Sequence, residues 1–328
     1  MKAVLCEQYG PPETLVLREV PDLVPGKGQV VVSVHAAGVN FPDSLIIENK
    51  YQYKPPLPFS PGGEIAGVVK AVGEGVTRVK VGDRVLGSSG SGGYAEQALV
   101  DERKCFHVPA SASLVEAAAL MTTYGTTHHA LKDRAYIKPG ETLLVLGAAG
   151  GTGMAAVELG KLMGARVIAA CSTDEKTALC REHGADEVIN YAREDMRERL
   201  KAITGGRGVD VVYDPVGGEY SEPALRSMAW RGRFLVIGFT AGIPKLPLNL
   251  PLLKGCSIVG VFYGASWQHE PELSAAGMAE LMGWFGEGRV RPYVSATYPL
   301  ERAAEALNVV VHRQAKGKIV LITGQAAG

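Results

Sequence analysis

The sequence lacks both a paired-cysteine motif and an excess of charge of one sign. Its five cysteines are Cys6, Cys105, Cys171, Cys180 and Cys256. None forms a C-x-x-C pair, so the pattern argues against a disulfide framework or a zinc ribbon and predicts free thiols. Lys plus Arg and Asp plus Glu both number 34, which leaves no overall field to attract nucleic acid or an anionic membrane. We therefore expect a small-molecule partner and no nucleic acid.

Long apolar runs are also absent, and none approaches the length needed to cross a bilayer. The first residues, MKAVLCEQYG, do not have the basic, apolar and small-residue order of a signal sequence, so we expect a cytoplasmic chain without membrane contact. His128 and His129 are adjacent, and on a helix they would point about 100° apart instead of converging on zinc. We therefore expect structural roles for both histidines.

A length of 328 residues exceeds one ordinary core and predicts two domains. The first third has β character, with short runs such as QVVVSVHAAGVN, EIAGVVKAVGEGV and DRVLGSSGSGGYAEQALV, typical of a barrel-like or partly open β-domain. The periodicity becomes helical over SLVEAAALMTTYGTTHHALKD, where Ser113 as N-cap and Glu116 form a capping box. Strands and helices then alternate from TLLVLG to RFLVIGF, which predicts an α/β, doubly wound parallel sheet.

A glycine-rich turn, GAAGGTG from Gly147 to Gly153, follows the strand TLLVLG and opens the next predicted helix. Gly150 and Gly151 would let the backbone approach a pyrophosphate, and Gly153 would allow the helix to pack closely on the strand. Ala148 stands where the usual G-x-G-x-x-G pattern has its first glycine, so the letters alone are a weak signal and a purely structural turn is the alternative. The strand-turn-helix context favours a dinucleotide.

The end of the next strand indicates which dinucleotide binds. NAD-type domains place Asp or Glu there to bind the ribose hydroxyls, whereas this chain has Cys171. Ser172, Thr173 and Lys176 supply hydroxyl and ammonium donors suited to a 2′-phosphate, which predicts NADPH. The alternative is that Ser172 or Thr173 only caps the next helix and that Lys176 is a solvated first-turn residue.

Several stretches along the chain resemble motifs of one protein family. They are AAGVNFPDSLI, PGGEIAGVVKAVGEGV, VGDRV, GGYAE, PGETLLVLGAAGGTGMAAVELGKLMGARVIA, GADEVINY, GRGVDVVYDPVGG and KGKIVLI. Together they resemble the zinc-free quinone oxidoreductases, the zeta-crystallin-like branch of the medium-chain dehydrogenase/reductase family, over essentially the whole length. The resemblance implies a GroES-like, β-rich catalytic domain of residues 1–119 and 263–328 around a Rossmann NADP-binding domain of residues 120–262.

The same resemblance bears on Glu64. Zinc-dependent relatives carry G-H-E where this chain has Gly62, Gly63 and Glu64, and a cysteine where it has Asn40. With neither thiolate nor imidazole, a tetrahedral zinc site cannot be assembled, so we predict no metal. We interpret Glu64 as a buried or cleft carboxylate paired with a nearby donor, and a direct chemical role is the alternative.

The family implies that the protein positions a hydride donor and polarises the oxygen of the acceptor. Asn40, Asp43 and Tyr51 resemble the family's substrate-cleft asparagine, aspartate and tyrosine, and Tyr53 lies close by. Leu45 replaces another cleft tyrosine of some relatives, so its role is not carried over. The alternative for Tyr51 and Tyr53 is a packed loop with exposed hydroxyls.

Cofactor contacts are likewise implied by position in the family. Thr126 resembles the threonine that starts the nicotinamide-side helix, Tyr191 the aromatic residue near the adenosine, and Arg313 a basic residue near the phosphates. The full implied set is Asn40, Thr126, Gly150, Gly151, Thr152, Ser172, Thr173, Lys176, Tyr191, Phe239, Thr240, Phe262, Tyr263 and Arg313. Helix packing or surface exposure is the alternative for the single residues. Asp214 and Pro215 are predicted to shape the turn at the carboxyl end of their strand.

The resemblance implies zinc-independent hydride transfer from NADPH to a quinone or a related conjugated carbonyl. One alternative is NADPH-dependent reduction of the double bond of an enal, enone or enoyl thioester. Another is a non-enzymatic NADPH-binding or RNA-binding role, and the charge balance argues against RNA. In this architecture the shape of the loops around the nicotinamide sets which acceptor binds. The sequence motifs therefore do not identify the acceptor. The family also implies a homodimer that pairs through an edge strand, predicted here over CSIVGVFYG.

Overall fold

A computed structural model describes residues 1–325. The β-strands are β1 (Lys2–Leu5), β2 (Val16–Glu19), β3 (Gln29–Val39), β4 (Glu64–Val72), β5 (Arg84–Ser88), β6 (Gln97–Asp101), β7 (Cys105–His107), β8 (Thr142–Leu146), β9 (Arg166–Cys171), β10 (Glu187–Asn190), β11 (Val209–Asp214), β12 (Met228–Val236), β13 (Ser257–Gly260), β14 (Val294–Pro299) and β15 (Lys318–Ile322). The α-helices are α1 (Phe41–Ile47), α2 (Leu114–Ala117), α3 (Thr123–His128), α4 (Gly151–Leu162), α5 (Asp174–Glu182), α6 (Met196–Ile203), α7 (Ser221–Arg226), α8 (Asn249–Lys254), α9 (Tyr263–His269), α10 (Pro271–Gly286) and α11 (Ala303–Val311). Short 3-10 helices cover Pro12–Thr14, Glu102–Lys104, Gly218–Tyr220 and Leu300–Arg302, and a π-helix covers His129–Arg134.

The chain forms two compact units. Unit 1 comprises Met1–Thr122 and the chain from Met278 onward, and unit 2 comprises Thr123–Gly277. The sequence prediction placed the boundaries after residues 119 and 262. The second boundary differs because α9 and the start of α10 pack within unit 2, where the ring of Tyr263 covers Gly125. The catalytic and cofactor roles assigned to the two units stay predictions.

Unit 1 is built on a mainly antiparallel sheet in the order β14-β15-β3-β4-β5-β7, with β6 also paired to β3. Within it, β14 and β15 run parallel, and β1 and β2 form a separate antiparallel pair. The strand β3 lies inside the sheet because its β-branched run of Val30, Val31 and Val32 is buried on both faces. The β character predicted for the first third of the chain is confirmed.

The register of β3 brings distant residues to one end of this sheet. Gly38 of β3 lies opposite Glu64, the first residue of β4. On the other side of β3, Val39 lies opposite Ile319 of β15, which brings the preceding Lys318 to the same end. The polar side chains described below meet at this place.

Unit 2 contains a parallel sheet in the order β10-β9-β8-β11-β12-β13. This is the strand order 3-2-1-4-5-6 of a dinucleotide-binding Rossmann fold, so the predicted doubly wound α/β class is confirmed. All residues of the central strand β8 are buried, as expected for a parallel strand covered on both faces. The strand β13 lies at the edge, as predicted for CSIVGVFYG.

The helix predicted from Ser113 to the two histidines is interrupted. Ser113 caps α2 as predicted, since its hydroxyl accepts the N–H groups of Val115 and Glu116, but α2 ends after about one turn. The N–H of Thr122 instead donates to Glu64 Oε2 at 2.7 Å. The buried carboxylate of Glu64 thus binds the backbone of this segment. Helical periodicity carries no information about that contact. The helix resumes in α3 and continues as the π-helix.

The cysteines and the paired histidines behave as predicted. All five cysteines are free thiols. His128 and His129 are buried, and His129 Nδ1 lies 3.0 Å from Asp133 Oδ2, which is a structural contact within the π-helix. Along residues 1–325, none of the helices combines the length and the apolar character that crossing a lipid bilayer requires.

Candidate active site

Glu64 is the centre of a buried polar cluster in unit 1, which we call the unit 1 site: Gly38, Asn40, Asp43, Glu64, Tyr94, Thr122 and Lys318. The side chain of Glu64 crosses directly over Gly38. A Cβ atom at position 38 would lie 2.3 Å from both Glu64 Oε1 and the carbonyl oxygen of Ala118. Glycine is therefore required at this position, because any side chain would displace the carboxylate.

Both oxygens of Glu64 accept hydrogen bonds. Oε1 accepts from Lys318 Nζ at 2.6 Å and from Asn40 Nδ2 at 2.8 Å, and Oε2 accepts from the N–H of Thr122 at 2.7 Å. The side chains of Lys318 and Glu64 are only 4% and 1% exposed. A buried charge needs such partners, so the interpretation of Glu64 as a paired carboxylate is confirmed.

Asn40 lies at the start of α1 and joins this cluster through both ends of its amide. Its Oδ1 accepts from Lys318 Nζ at 2.7 Å, while its Nδ2 donates to Glu64. The other Nδ2 hydrogen faces the carbonyl oxygen of Gly38 at 3.4 Å, which is too long for a strong hydrogen bond. The bond to Gly38 is therefore the weakest one that the Asn40 amide makes.

Asp43 and two tyrosines adjoin Asn40. The carboxylate of Asp43 accepts the N–H of Asn40 and the hydroxyl of Tyr94, each at 2.9 Å, and burial raises its pKa to about 6. Burial and then the negative charge of Asp43 raise the pKa of the half-buried Tyr51. Its phenol therefore stays protonated and can donate. Tyr53 is 46% exposed and its hydroxyl contacts Ser91, which fits the loop alternative.

We expect Asp43→Asn to change the pH dependence of stability. Because burial raises the folded-state pKa to about 6, the stabilising contribution of the neutral carboxyl is present below the unfolded pKa of roughly 4 and is lost as pH rises through 6. Between pH 4 and pH 8, the free energy of unfolding of the wild type should fall by about 2 kcal/mol relative to the variant. Urea unfolding at both pH values measures this, and a difference independent of pH would contradict it.

The glycine-rich turn of unit 2 has the predicted strand-turn-helix geometry. Gly150 is the N-cap of α4, and a Cβ atom added there would lie 3.4 Å from the carbonyl oxygen of Gly147. A Cβ atom on Gly153 would instead lie 2.3 Å from that oxygen and 2.7 Å from Cα of Ala148. Gly153 is therefore required for helix packing, whereas Gly150 leaves space above the first turn, where helix N–H groups lack partners within the helix.

The end of β9 holds Cys171, which is buried with its Sγ 3.5 Å from that of Cys180. Thr173 is the N-cap of α5, and its hydroxyl accepts the N–H of Lys176 at 3.2 Å. The hydroxyl of Thr173 therefore caps the helix, which was the alternative to phosphate binding. Lys176 is half-buried rather than a fully solvated residue. The contact with Cys180 and, to a smaller extent, the charge of Lys176 lower the pKa of the Cys171 thiol.

The carboxylate of Asp174, three residues after Cys171, already has two partners. Asp174 accepts hydrogen bonds from Asn190 Nδ2 and from Arg193, which follows β10. Arg193 thus balances the charge of Asp174. The local charge at the ends of β9 and β10 is therefore not that of a typical NAD site.

The other residues that the family resemblance assigns to the cofactor lie on several different elements. In unit 2, the ring of Tyr191 contacts that of Tyr220 at a tilt of 44° with centroids 4.6 Å apart, and Thr240 Oγ1 donates to the Pro215 carbonyl at 3.3 Å. The other unit 2 residues are Thr126 on α3, Gly151 and Thr152 in the first turn of α4, Ser172 after β9, the exposed Phe239 and Phe262, and Tyr263 at the start of α9. Arg313 follows α11 in unit 1. Their roles toward a cofactor stay predictions.

Asp214 shapes the turn after β11, as the sequence predicted. Its carboxylate accepts the N–H groups of Val216 and Gly217 at 2.8 Å each and the hydroxyl of Ser221 at 2.6 Å. Burial raises its pKa. These bonds hold the backbone at the carboxyl end of the sheet, where ligands bind in this fold.

Sequence reasoning missed Lys318 and Tyr94. One signal for Lys318 was present, because a lysine directly precedes the apolar run IVLI of a strand and so begins a buried segment. A buried lysine needs an acidic partner, and Glu64 was already interpreted as a buried acid. Tyr94 gave no signal beyond the motif GGYAE.

Known proteins with similar sequence and structure identify the family. Residues 151–279 match the family model of the zinc-binding dehydrogenases, and residues 26–110 match that of the alcohol dehydrogenase GroES-like domain. The chain is 40% identical to the quinone oxidoreductase-like protein 2 homolog of Nematostella vectensis, over 99% of this chain and 89% of that protein. It is 34% identical to the quinone oxidoreductase of Homo sapiens, over 98% of each. The structure of Escherichia coli quinone oxidoreductase complexed with NADPH superposes with a TM-score of 0.91 at 32% identity, over 98% of this chain and 100% of that one.

The fold and these similarities define a medium-chain dehydrogenase/reductase. Within that class, the chain belongs to the quinone oxidoreductase family, and it is an oxidoreductase. The family and the fold predicted from the sequence motifs are both confirmed.

The description of one matching family names zinc, but the unit 1 site does not fit this metal. The ammonium of Lys318 lies 2.6 Å from the Glu64 oxygen that a metal would need, and two cations cannot share that oxygen at such a distance without strong repulsion. Within residues 1–325, no cluster of three or more His, Cys, Asp or Glu side chains could hold a metal ion. The described residues of the unit 1 site therefore suit an internal ion pair and not a zinc ion.

Proposed function

We propose that the protein is a zinc-independent, NADPH-dependent oxidoreductase that transfers hydride to a quinone or a related conjugated carbonyl. The observation that carries this proposal is the glycine turn at the start of α4, which follows a buried parallel strand and leaves space over a helix N-terminus. NADPH in the E. coli quinone oxidoreductase, which has the same fold, supports this choice of cofactor. When bound, NADPH supplies the hydride, and the protein binds, orients and polarises the reactants.

The preference for NADPH over NADH rests on charge at the end of β9. Cys171 stands where an NAD-type domain has an acid, and Asp174 is already bound by Arg193. Lys176 is half-buried in the first turn of α5, shortly after β9, and we propose that its ammonium binds the 2′-phosphate. Ser172 and Thr173 add hydroxyl groups, although that of Thr173 already caps α5.

Lys176→Ala is therefore expected to weaken NADPH binding by roughly ten- to a hundredfold and to leave NADH binding nearly unchanged, because a charge-assisted hydrogen bond to phosphate contributes about 1.5–3 kcal/mol. Fluorescence titration with both cofactors measures the two dissociation constants. Lys201→Ala, on the exposed side of α6, is the matched control and should change neither. Equal losses for NADPH and NADH would reject the assignment.

The acceptor side of the proposal uses unit 1. A quinone accepts hydride readily because the product is an aromatic oxyanion, so hydrogen-bond donors can replace a Lewis acid. Asn40 has one amide hydrogen without a strong partner, and the protonated phenol of Tyr51 supplies a second donor. Asp43 holds the N–H of Asn40 and thereby orients this wall. We propose that Asn40 and Tyr51 contact the acceptor.

A turnover screen of quinones, enals, enones and enoyl thioesters with both nicotinamide cofactors tests the proposal. We expect quinone reduction with NADPH. Rapid enone or enoyl-thioester reduction without quinone turnover would instead support the double-bond reductase alternative. No turnover with any class would favour a non-enzymatic NADPH-binding role, and a nucleic-acid binding assay at physiological salt would then test RNA binding.

We further propose a cytoplasmic homodimer that pairs through β13. This edge strand is short and exposed, and apolar side chains lie on and near it in unit 2. Trp230 is 73% exposed and packs on Gly255, and Leu252 is 77% exposed on α8. An exposed apolar patch beside an unpaired strand edge fits a second copy of the chain. Light scattering of the purified protein would distinguish a dimer from a monomer.

A further inference from the structure

We propose that Lys318 is the resident cation of the unit 1 site and a positioning residue that fixes the orientation of the Asn40 amide. The inference rests on the proposed function, in which Asn40 offers its amide hydrogen to the acceptor. It also accounts for the disagreement between the zinc named by the matching family and the residues found here: a lysine side chain, and no metal, balances Glu64.

The ammonium of Lys318 uses all three of its N–H donors inside the protein. They reach Glu64 Oε1 at 2.6 Å, Asn40 Oδ1 at 2.7 Å and the carbonyl oxygen of Val39 at 3.2 Å. An ammonium has three donors and no acceptor, so no donor is left for a ligand. Lys318 therefore does not polarise a substrate itself, and any effect it has on the reaction must pass through Asn40.

The two partners of Asn40 have opposite hydrogen-bonding character. Lys318 can only donate, so it requires Oδ1, whereas the ionised Glu64 can only accept, so it requires Nδ2. Rotating the amide by half a turn would place Nδ2 against an ammonium and Oδ1 against a carboxylate. The ion pair therefore permits one orientation of Asn40, and in that orientation the second amide hydrogen has only the long bond to Gly38, which an acceptor could replace.

The fold fixes this arrangement through strand register. Lys318 begins β15, and the pairing of Ile319 with Val39 sets it beside Asn40. Glu64 reaches the same point from β4, crossing the bare backbone of Gly38. The pair is almost fully buried, so it is screened little by salt and must remain paired.

Lys318→Met tests the inference because methionine has an unbranched side chain only one atom shorter than that of lysine and carries no charge. We expect the unfolding midpoint to fall by roughly 10 °C, since the variant leaves the Glu64 carboxylate buried without its cation. We expect kcat to fall by roughly a hundredfold, with the dissociation constant of NADPH changed by less than about threefold. Lys70→Met, on the exposed end of the ion pair with Asp22, is the matched control and should change none of these.

The double variant Lys318→Met with Glu64→Gln separates positioning from charge balance. It removes the uncompensated carboxylate, so the unfolding midpoint should recover by more than half. Turnover should stay low, because the ammonium that selects Oδ1 of Asn40 is still missing. Recovery of turnover together with stability would overturn the inference, since Lys318 would then only neutralise Glu64.

Elemental analysis of the wild type gives a readout that does not depend on activity. A resident ammonium predicts less than stoichiometric zinc, and retention of one zinc ion per chain would overturn the inference. Should the wild type reduce no quinone, the proposed function fails by itself. The unfolding midpoints and the metal content would still decide the role of Lys318, and kcat would be compared with whichever acceptor the wild type reduces.

Discussion

Gly150→Ala is expected to weaken NADPH binding by about a hundredfold while leaving the unfolding midpoint nearly unchanged. In the free protein a Cβ atom at this position lies 3.4 Å from the carbonyl oxygen of Gly147, so alanine is accommodated with a small shift. A bound pyrophosphate must instead approach the backbone of this turn, where a methyl group would hold it away from the N–H groups of α4. Losing charge-assisted hydrogen bonds of about 1.5–3 kcal/mol accounts for the size of the effect.

Two other glycines provide the comparison. Gly153→Ala brings a Cβ atom to 2.3 Å from the backbone oxygen of Gly147, so this variant should lose stability as well as NADPH binding. Gly283→Ala in α10 meets nothing within 4 Å and should affect neither. Fluorescence titration and thermal unfolding of the three variants measure both quantities. Normal NADPH affinity in Gly150→Ala would show that the turn is purely structural.

The parallel sheet of unit 2 could be predicted because its strands are short, continuous apolar runs set between helical segments. The strand TLLVLG, which contains β8, is apolar on both faces, and its burial follows from that composition alone. The segment from Ser113 could not be predicted equally well. Its helix ends at Ala117, and a few residues later the N–H of Thr122 donates to Glu64, a residue 58 positions earlier in the chain. Local periodicity contains no information about such a contact.

The unit 1 site could likewise be predicted only in part from the local sequence. The sequence indicated that Glu64 needs a donor, because it lacks metal-binding neighbours. It did not indicate Lys318, because the two residues are 254 positions apart and meet only through the pairing of β3 with β4 and β15. For Thr173, the sequence allowed either helix capping or phosphate binding, and the structure shows the capping bond.

Asn40→Ala is the second variant with a large expected effect. Removing one central donor aimed at developing negative charge typically costs about 10²–10³ in turnover, and the product anion of a quinone is delocalised, so we expect the lower end of this range, a fall of roughly a hundredfold. Lys318 keeps Glu64 as its partner, so the fold should survive. Asn308→Ala is the matched control, because it loses one amide–carboxylate bond to Glu13 at the surface and should keep full activity.

Tyr51→Phe distinguishes the two reactions that unit 1 could support. With a quinone the product anion is delocalised, so one phenol donor contributes less and we expect roughly a tenfold loss of turnover. With an enal or enone, the enolate requires an oxyanion donor and then a proton, so the same change should be more damaging. Tyr53→Phe is the control, because its hydroxyl contacts Ser91 on the exposed loop and should contribute to neither reaction. An equal loss with both acceptor classes would show that Tyr51 does not donate to the reacting oxygen.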